Sequence, residues 1–358
     1  MAAATDELIR ASPKIVLHEH LDGGLRPQTI IDLAPAAGID LPETDAAALG
    51  DWFVDSCSGG DLVDYLSTFD ITTAVMQTEE GLARVAREAV LDLAADGAVY
   101  AELRWAPEQH VARGLSLDAA VAAVQAGIEQ GIAEAEAGGW DIRIGQLVSA
   151  MRHLDRSLEI ARLAVRHRDR GVVGFDIAGP ERGYPASLHR PAFEYLAHEL
   201  MPVTVHAGEA DGLESILSAL VDGRALRIGH GVGIALDIRE GDDRLYTLGP
   251  LARWVLDREI PLEIAPSSNL QTNATGSREL QHHPIDLLLE LGFRVTVNSD
   301  NRLQSGTSVS RELGLLVDEF AWDAETLELV QLNAAEAAFQ PIELRDEYTS
   351  VITTFFSR

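Results

Sequence analysis

The sequence predicts an α/β chain that closes into a (β/α)8 TIM barrel with a helical insertion after the first strand. Three observations predict it. Short β-rich runs alternate with amphipathic stretches of helical period along the whole 358 residues. Four of those runs end in a histidine or an aspartate. The connection after the first run is far longer than one crossover needs. Eight strand-helix units close a barrel whose functional groups must lie at the carboxyl ends of its strands. A doubly wound open sheet is the competing fold, but no G-x-G-x-x-G follows the first strand and the strand count is high for it.

In chain order the strands are expected at 14–20, 99–105, 142–150, 172–177, 202–206, 227–229, 262–265 and 294–298, each a short run rich in Val, Ile, Leu or aromatic residues. Between them, 117–135, 157–169, 190–199, 212–221, 249–259 and 284–291 carry apolar residues at helical spacing. About 80 residues separate the first two strands, so extra helices are expected there, in an insertion at about 28–95. Within it Leu62, Tyr65, Leu66 and Phe69 fall at i, i+3, i+4 and i+7, and 60–87 reads as two helices. That stripe fits either packing on the barrel or a lid over its mouth. No repeat, linker or low-complexity tract divides the chain, so 1–358 is expected to form a single barrel domain. Trp52, Trp105, Trp140, Trp254 and Trp322 are expected to pack.

Composition removes several function classes. With 57 acidic against 28 basic residues the net charge is −29, which repels phosphate backbones and anionic lipid, so neither nucleic acid nor a membrane surface is an expected partner. Cys57 is the only cysteine, which rules out an internal disulfide and suits a reducing compartment. No apolar run approaches roughly 18 residues and the first twelve lack the apolar core of a signal peptide, so a cytoplasmic protein is expected.

The chemistry sits at the strand ends. His18 and His20 alternate on one strand and so share a face, as two metal ligands must. His206, His230 and Asp300 close three later strands. Taken singly, His206 or His230 also fits a core histidine bonded to backbone; recurrence at successive strand ends favours a shared site. The nitrogens of His18, His20 and His206 with the carboxylate of Asp300 form an N3O set that suits one zinc ion and leaves a position open for water. Asp300 could both ligate and accept that water's proton. Glu209, three residues past His206, is the natural acid, provided burial raises its pKa; a helix-terminal glutamate favoured by the dipole is the plainer alternative.

The runs L-H-E-H-L-D-G-G at 17–24, G-F-D-I-A-G-P-E at 174–181, V-H-A-G-E at 205–209, G-H-G at 229–231 and V-N-S-D-N at 297–301 resemble the adenosine deaminase family in order and spacing, over nearly the whole chain. The resemblance implies a barrel with one zinc on His18, His20, His206 and Asp300. It implies that Glu209 protonates purine N1 and that His230 orients the activated water attacking C6. The Gly179 N–H would reach N3, Asp22 would accept from the ribose 5′-hydroxyl, and Tyr65, Leu66, Phe69 and Met151 would line an apolar pocket. The implied reaction is hydrolysis of adenosine and 2′-deoxyadenosine to inosine and 2′-deoxyinosine with release of ammonia, in purine salvage.

Two local features refine that expectation. Asp22 stands where related adenine deaminases carry glutamate, which favours a nucleoside over the free base. Asn301 follows Asp300 where many family members have a second aspartate, and an amide can donate to purine N7 without being protonated. Lys14, the sole lysine, stands at the start of the first strand and cannot bridge two metals from a middle one, so one metal is expected. A lone cysteine cannot furnish the P-C-x-x-C of the unrelated nucleobase deaminases. Arg26, Arg104, Arg152, Arg182 and Arg302 flank strand ends and would matter for a phosphorylated substrate, although rim arginines are mostly ion-pair partners. The alternatives are a deaminase of another 6-aminopurine compound, such as aminodeoxyfutalosine or adenine, and a silent purine-nucleoside-binding barrel.

Overall fold

In β1 (Lys14–His20), β2 (Ala98–Trp105), β3 (Arg143–Met151) and β4 (Val172–Ala178), nearly every residue is buried, the pattern of strands covered on both faces. This computed structural model describes residues 3–241 and 245–358; positions 1–2 and 242–244 of the expected 1–358 domain lie outside the described residues. The second half of the barrel is β5 (Thr204–Ala207), β6 (Arg227–His230), β9 (Leu262–Ile264) and β10 (Val295–Val297), with an antiparallel hairpin of β7 (Ile238–Glu240) and β8 (Tyr246–Leu248) inserted before β9.

All eight barrel strands pair in parallel. β1 to β4 form one run and β5, β6, β9, β10 another. Bridges Phe175–Val203 and Glu19–Asp300 join the two runs and close the ring. The closing bridge brings Asp300 beside the His18-Glu19-His20 segment: the Asp300 N–H donates to His18 O at 2.9 Å and the His20 N–H to Asp300 O at 2.7 Å. Residues from opposite ends of the sequence thereby become neighbours at the barrel's carboxyl rim.

Expected and observed strands agree to within two residues at each end, and the helices nearly as well, the helix Gly212–Val221 without a shift. The first connection holds five helices, Pro27–Ala37, Ala46–Cys57, Leu62–Ser67, Phe69–Val75 and Glu79–Ala95. Positions 60–87, expected as two helices, enter three, because the stripe is broken at Thr68, whose hydroxyl donates back to Tyr65 O at 2.9 Å and caps the first of two short helices. The expectation missed the hairpin and three C-terminal helices, Val309–Phe320, Ala324–Ala337 and Ile342–Phe356, the middle one lying against β10 and β1. Trp105 and Trp322 are buried as expected, but Trp140 and Trp254 are exposed; Trp254 is faced instead by the Arg258 guanidinium, 4.9 Å from its ring centre. No helix among the described residues is long and apolar enough to cross a membrane.

Candidate active site

Strand ends deliver the site. β1 contributes His18 and His20, β5 contributes His206, β6 ends in His230, and Asp300 follows β10. Imidazole nitrogens of His18, His206 and His230 and an oxygen of Asp300 all lie within 4.8 Å of one another. His20 Nε2 stands 3.1 Å from His206 Nε2 and 3.3 Å from Asp300 Oδ1. Five candidate donors therefore converge. Gly229 makes the approach possible: a Cβ there would lie 3.1 Å from His206 Cα and 3.2 Å from His18 Cε1. His230 and Asp300 both adopt left-handed backbone, φ 60° and 58°, a strained conformation for residues with a side chain and one that clusters at functional sites.

The set fits a metal on its own chemistry. His18 Nε2 and Asp300 Oδ1 are buried and lack a hydrogen-bond partner among the described residues, although only 3.2 Å separates them; an ion between such groups would satisfy both. The far nitrogens of two rings are tied to carboxylates, His18 Nδ1 to Glu263 Oε2 at 2.9 Å and His206 Nδ1 to Asp176 Oδ1 at 3.1 Å. Each Nδ1–H donates, which leaves Nε2 as the free lone pair facing inward, the usual arrangement behind a metal-bound histidine. Burial lowers the His206 pKa to about 3 and lowers that of His18, so both rings are in the neutral, ligating form. Burial alone would raise the Asp300 carboxyl, but the imidazole groups packed around it, His18 foremost, hold it well below its ordinary range.

Glu209 lies on the turn after β5 with its carboxylate Oε2 3.7 Å from His230 Nε2. Glu181 builds that turn: its two oxygens accept the N–H groups of Gly208 at 2.6 Å, Glu209 at 3.0 Å and Asp211 at 3.2 Å, and that of Ala210 as well. Burial raises the Glu209 pKa, as an acid working near neutrality requires.

A cavity of about 400 Å³ opens above these groups. Asp22, Tyr65, Leu66, Phe69, Met151, Gly179 and Asn301 all line it, with His20, His206, His230, Glu209 and Asp300. His18 sits behind them, fully buried. Gly179 has φ 100°, which excludes other residues there and leaves its backbone open to the cavity. Asn301 lies over Gly23, where an added Cβ would be 2.0 Å from Asn301 Oδ1. Burial would raise the Asp22 carboxyl, yet the rings of His110 and His20, 3.6 Å and 3.7 Å from its oxygens, hold it low and keep it a charged acceptor.

Among the described residues lining the cavity there is no arginine or lysine. The five arginines noted at strand ends donate to protein groups, although Arg182 also lines a hollow adjoining the cavity along Leu62, Val63, Pro180 and Glu209. Arg104 donates to Glu263 and Leu17 O, Arg152 to His206 O and Tyr184 O, Arg182 to Ala210 O, and Arg26 and Arg302 both pair with Asp92. Lys14 lies at the opposite end of β1 from His20, consistent with its exclusion from the site. Sequence reasoning missed Asp176, Glu263, Glu181, Asn269 and His283. The first two carried a signal: an acid inside an otherwise apolar strand, as in Phe175-Asp176-Ile177 or Leu262-Glu263-Ile264, is buried only if paired.

A closed parallel barrel with imidazoles and a carboxylate gathered at its carboxyl end, beside a buried carboxylic acid, defines a metal-dependent hydrolase. The sequence model described as Adenosine deaminase matches residues 13–355. "Adenosine deaminase 1" of Streptomyces coelicolor is 54% identical over 338 residues, covering 94% of this chain and 85% of that protein. Among solved structures, adenine deaminase from Arthrobacter aurescens superposes with TM-score 0.83 at 24% identity, covering 97% of this chain and all of that one, a likeness of fold. Arabidopsis ADAL complexed with IMP gives TM-score 0.80 at 25% identity, covering 97% and 98%. The chain belongs to the adenosine deaminase family.

Proposed function

We propose that this chain hydrolyses adenosine and 2′-deoxyadenosine to inosine and 2′-deoxyinosine, releasing ammonia, as a cytoplasmic enzyme of purine salvage. The observation that carries the reading is the convergence of His18, His20, His206 and Asp300 beneath a purine-sized cavity, with Glu209 and His230 on its wall. These four residues hold one zinc ion per chain. Bound there, zinc supplies a water of lowered pKa.

The side chains do the rest. Glu209, whose pKa burial raises, gives its proton to purine N1, which draws electron density from C6. His230 holds the attacking oxygen over C6 through its Nε2–H, and Asp300 takes the proton the water loses. Asp300 passes that proton to the amino group, which leaves as ammonia, and the oxygen's second proton returns to Glu209, so water and the nucleoside balance inosine and ammonia. The Gly179 N–H meets N3, and the Asn301 amide donates to N7. Tyr65, Leu66, Phe69 and Met151 cover the ring faces and exclude water, which makes the two short helices of the insertion a lid. Asp22, a charged acceptor, reads the ribose 5′-hydroxyl and repels a 5′-phosphate.

A cavity wall without cations supports a nucleoside over AMP, since a phosphate dianion needs a cationic clamp. Zinc-loaded protein is expected to turn over adenosine and 2′-deoxyadenosine well, and adenine and AMP at least about 100-fold less efficiently in kcat/KM, a difference of roughly 2.7 kcal/mol. Metal analysis should give one zinc per chain. A preference for AMP or adenine would refute the substrate assignment, and inert zinc-loaded protein the activity itself.

A further inference from the structure

Outside the metal centre, one buried polar chain ends on His230. The Ile285 N–H donates to His283 Nδ1 at 3.1 Å. The other ring nitrogen, His283 Nε2, meets Asn269 Oδ1 at 3.4 Å, and Asn269 Nδ2 meets His230 Nδ1 at 2.9 Å. Asn269 is fully buried, and His230 and His283 nearly so.

A backbone N–H can only donate, and that polarises the chain from one end. His283 Nδ1 must accept, so in the neutral ring the proton sits on Nε2 and is donated to Asn269. The amide must then present its oxygen to His283 and its NH2 to His230. His230 Nδ1 accepts in turn, and its proton sits on Nε2, the nitrogen that faces Glu209 and the cavity. Reversing the amide would set its NH2 against His283 Nε2–H and leave two buried donors face to face. Burial supports the neutral His283 ring by lowering its pKa to about 3.

We infer that Asn269 and His283 are positioning residues that fix His230 as an Nε2–H donor. The contrast with the rings behind the metal centre is chemical. His18 and His206 meet carboxylates at Nδ1 and keep Nε2 bare for an ion. His230 meets an amide NH2 at Nδ1, so its Nε2 points a hydrogen at the cavity. One rim thus carries imidazoles of both tautomers, and the group across the ring from the cavity decides which. The kinetic consequence rests on the donor role proposed for His230; the tautomer does not.

Imidazole 15N NMR on zinc-loaded protein tests this directly. In the wild type, His230 Nδ1 should be unprotonated and Nε2 protonated. In Asn269→Asp, an isosteric change, any shared proton belongs to the more basic imidazole, so Nδ1 should become protonated. His283→Gln, whose amide accepts from Ile285 and donates onward, should keep the wild-type pattern. A protonated Nδ1 in the wild type, or a bare Nδ1 in Asn269→Asp, overturns the inference. The Asn269→Asp kcat should fall by about 100-fold with KM changed less than about threefold. Unchanged kcat with Nδ1 newly protonated would support the relay and remove the donor role from His230.

Discussion

Glu209 shows how one residue's chemistry is set by its surroundings. On an exposed turn its carboxyl would be ionised near neutrality and could only accept a proton. Buried beside His230 on a turn held by Glu181, its pKa is raised, and the acid form persists to higher pH. Activity that needs this proton must fall as pH rises through the raised value. In Glu209→Gln the amide keeps the shape and removes the proton, so kcat should fall by about 10²- to 10⁴-fold while zinc content is unchanged. Steady-state rates with metal analysis check this, and full retained turnover would take Glu209 out of the mechanism. The paired histidines on β1, and Glu209 so close to His206, made this part of the site legible in the sequence. Asn269 and His283 were not legible. Their roles depend on contacts across 39 and 14 residues that no local pattern records.

At the scale of elements, the strands were readable because burial on both faces demands continuous apolar runs, and the four runs ending in His or Asp betrayed which end carries the site. The hairpin β7–β8 was not readable: Ile238–Glu240 and Tyr246–Leu248 are too short and too polar to stand out. The opposite end of β1 carries an element-scale consequence. Lys14 is buried there, its ammonium donating to Ser12 O at 2.9 Å, and desolvation lowers its pKa from 10.5 to about 8 despite nearby Asp96. Between those values the unfolded chain binds more protons than the folded one, so this residue's contribution to stability rises with pH. Lys14→Met keeps the length and removes the charge. Relative to that variant, wild type should gain about 3 kcal/mol in unfolding free energy as pH rises from about 8 to about 10.5. Urea unfolding of both proteins across that range checks it, and a constant difference would mean that Lys14 titrates normally.

Over the whole molecule, charge sets a competition that the ion pairs cannot win. Surface pairs such as Arg87–Glu134, Arg166–Asp118 and Arg190–Asp222 attract, and added salt weakens them. Yet 57 acids face 28 bases, so one-to-one pairing still leaves 29 acids without a partner. Their mutual repulsion opposes the compact state and is screened by the same salt. Exposed pairs contribute about 0–1 kcal/mol each at best, whereas every unpaired acid interacts with many others once the Debye length is long. Repulsion therefore dominates at low ionic strength. The urea midpoint of zinc-loaded protein should rise as NaCl increases from about 0.01 M to about 0.15 M, where the Debye length shrinks from roughly 30 Å to 8 Å. Urea is uncharged, so the denaturant does not itself screen. A midpoint that falls with salt would mean that the arginine pairs, and not the excess of carboxylates, govern the stability of this barrel.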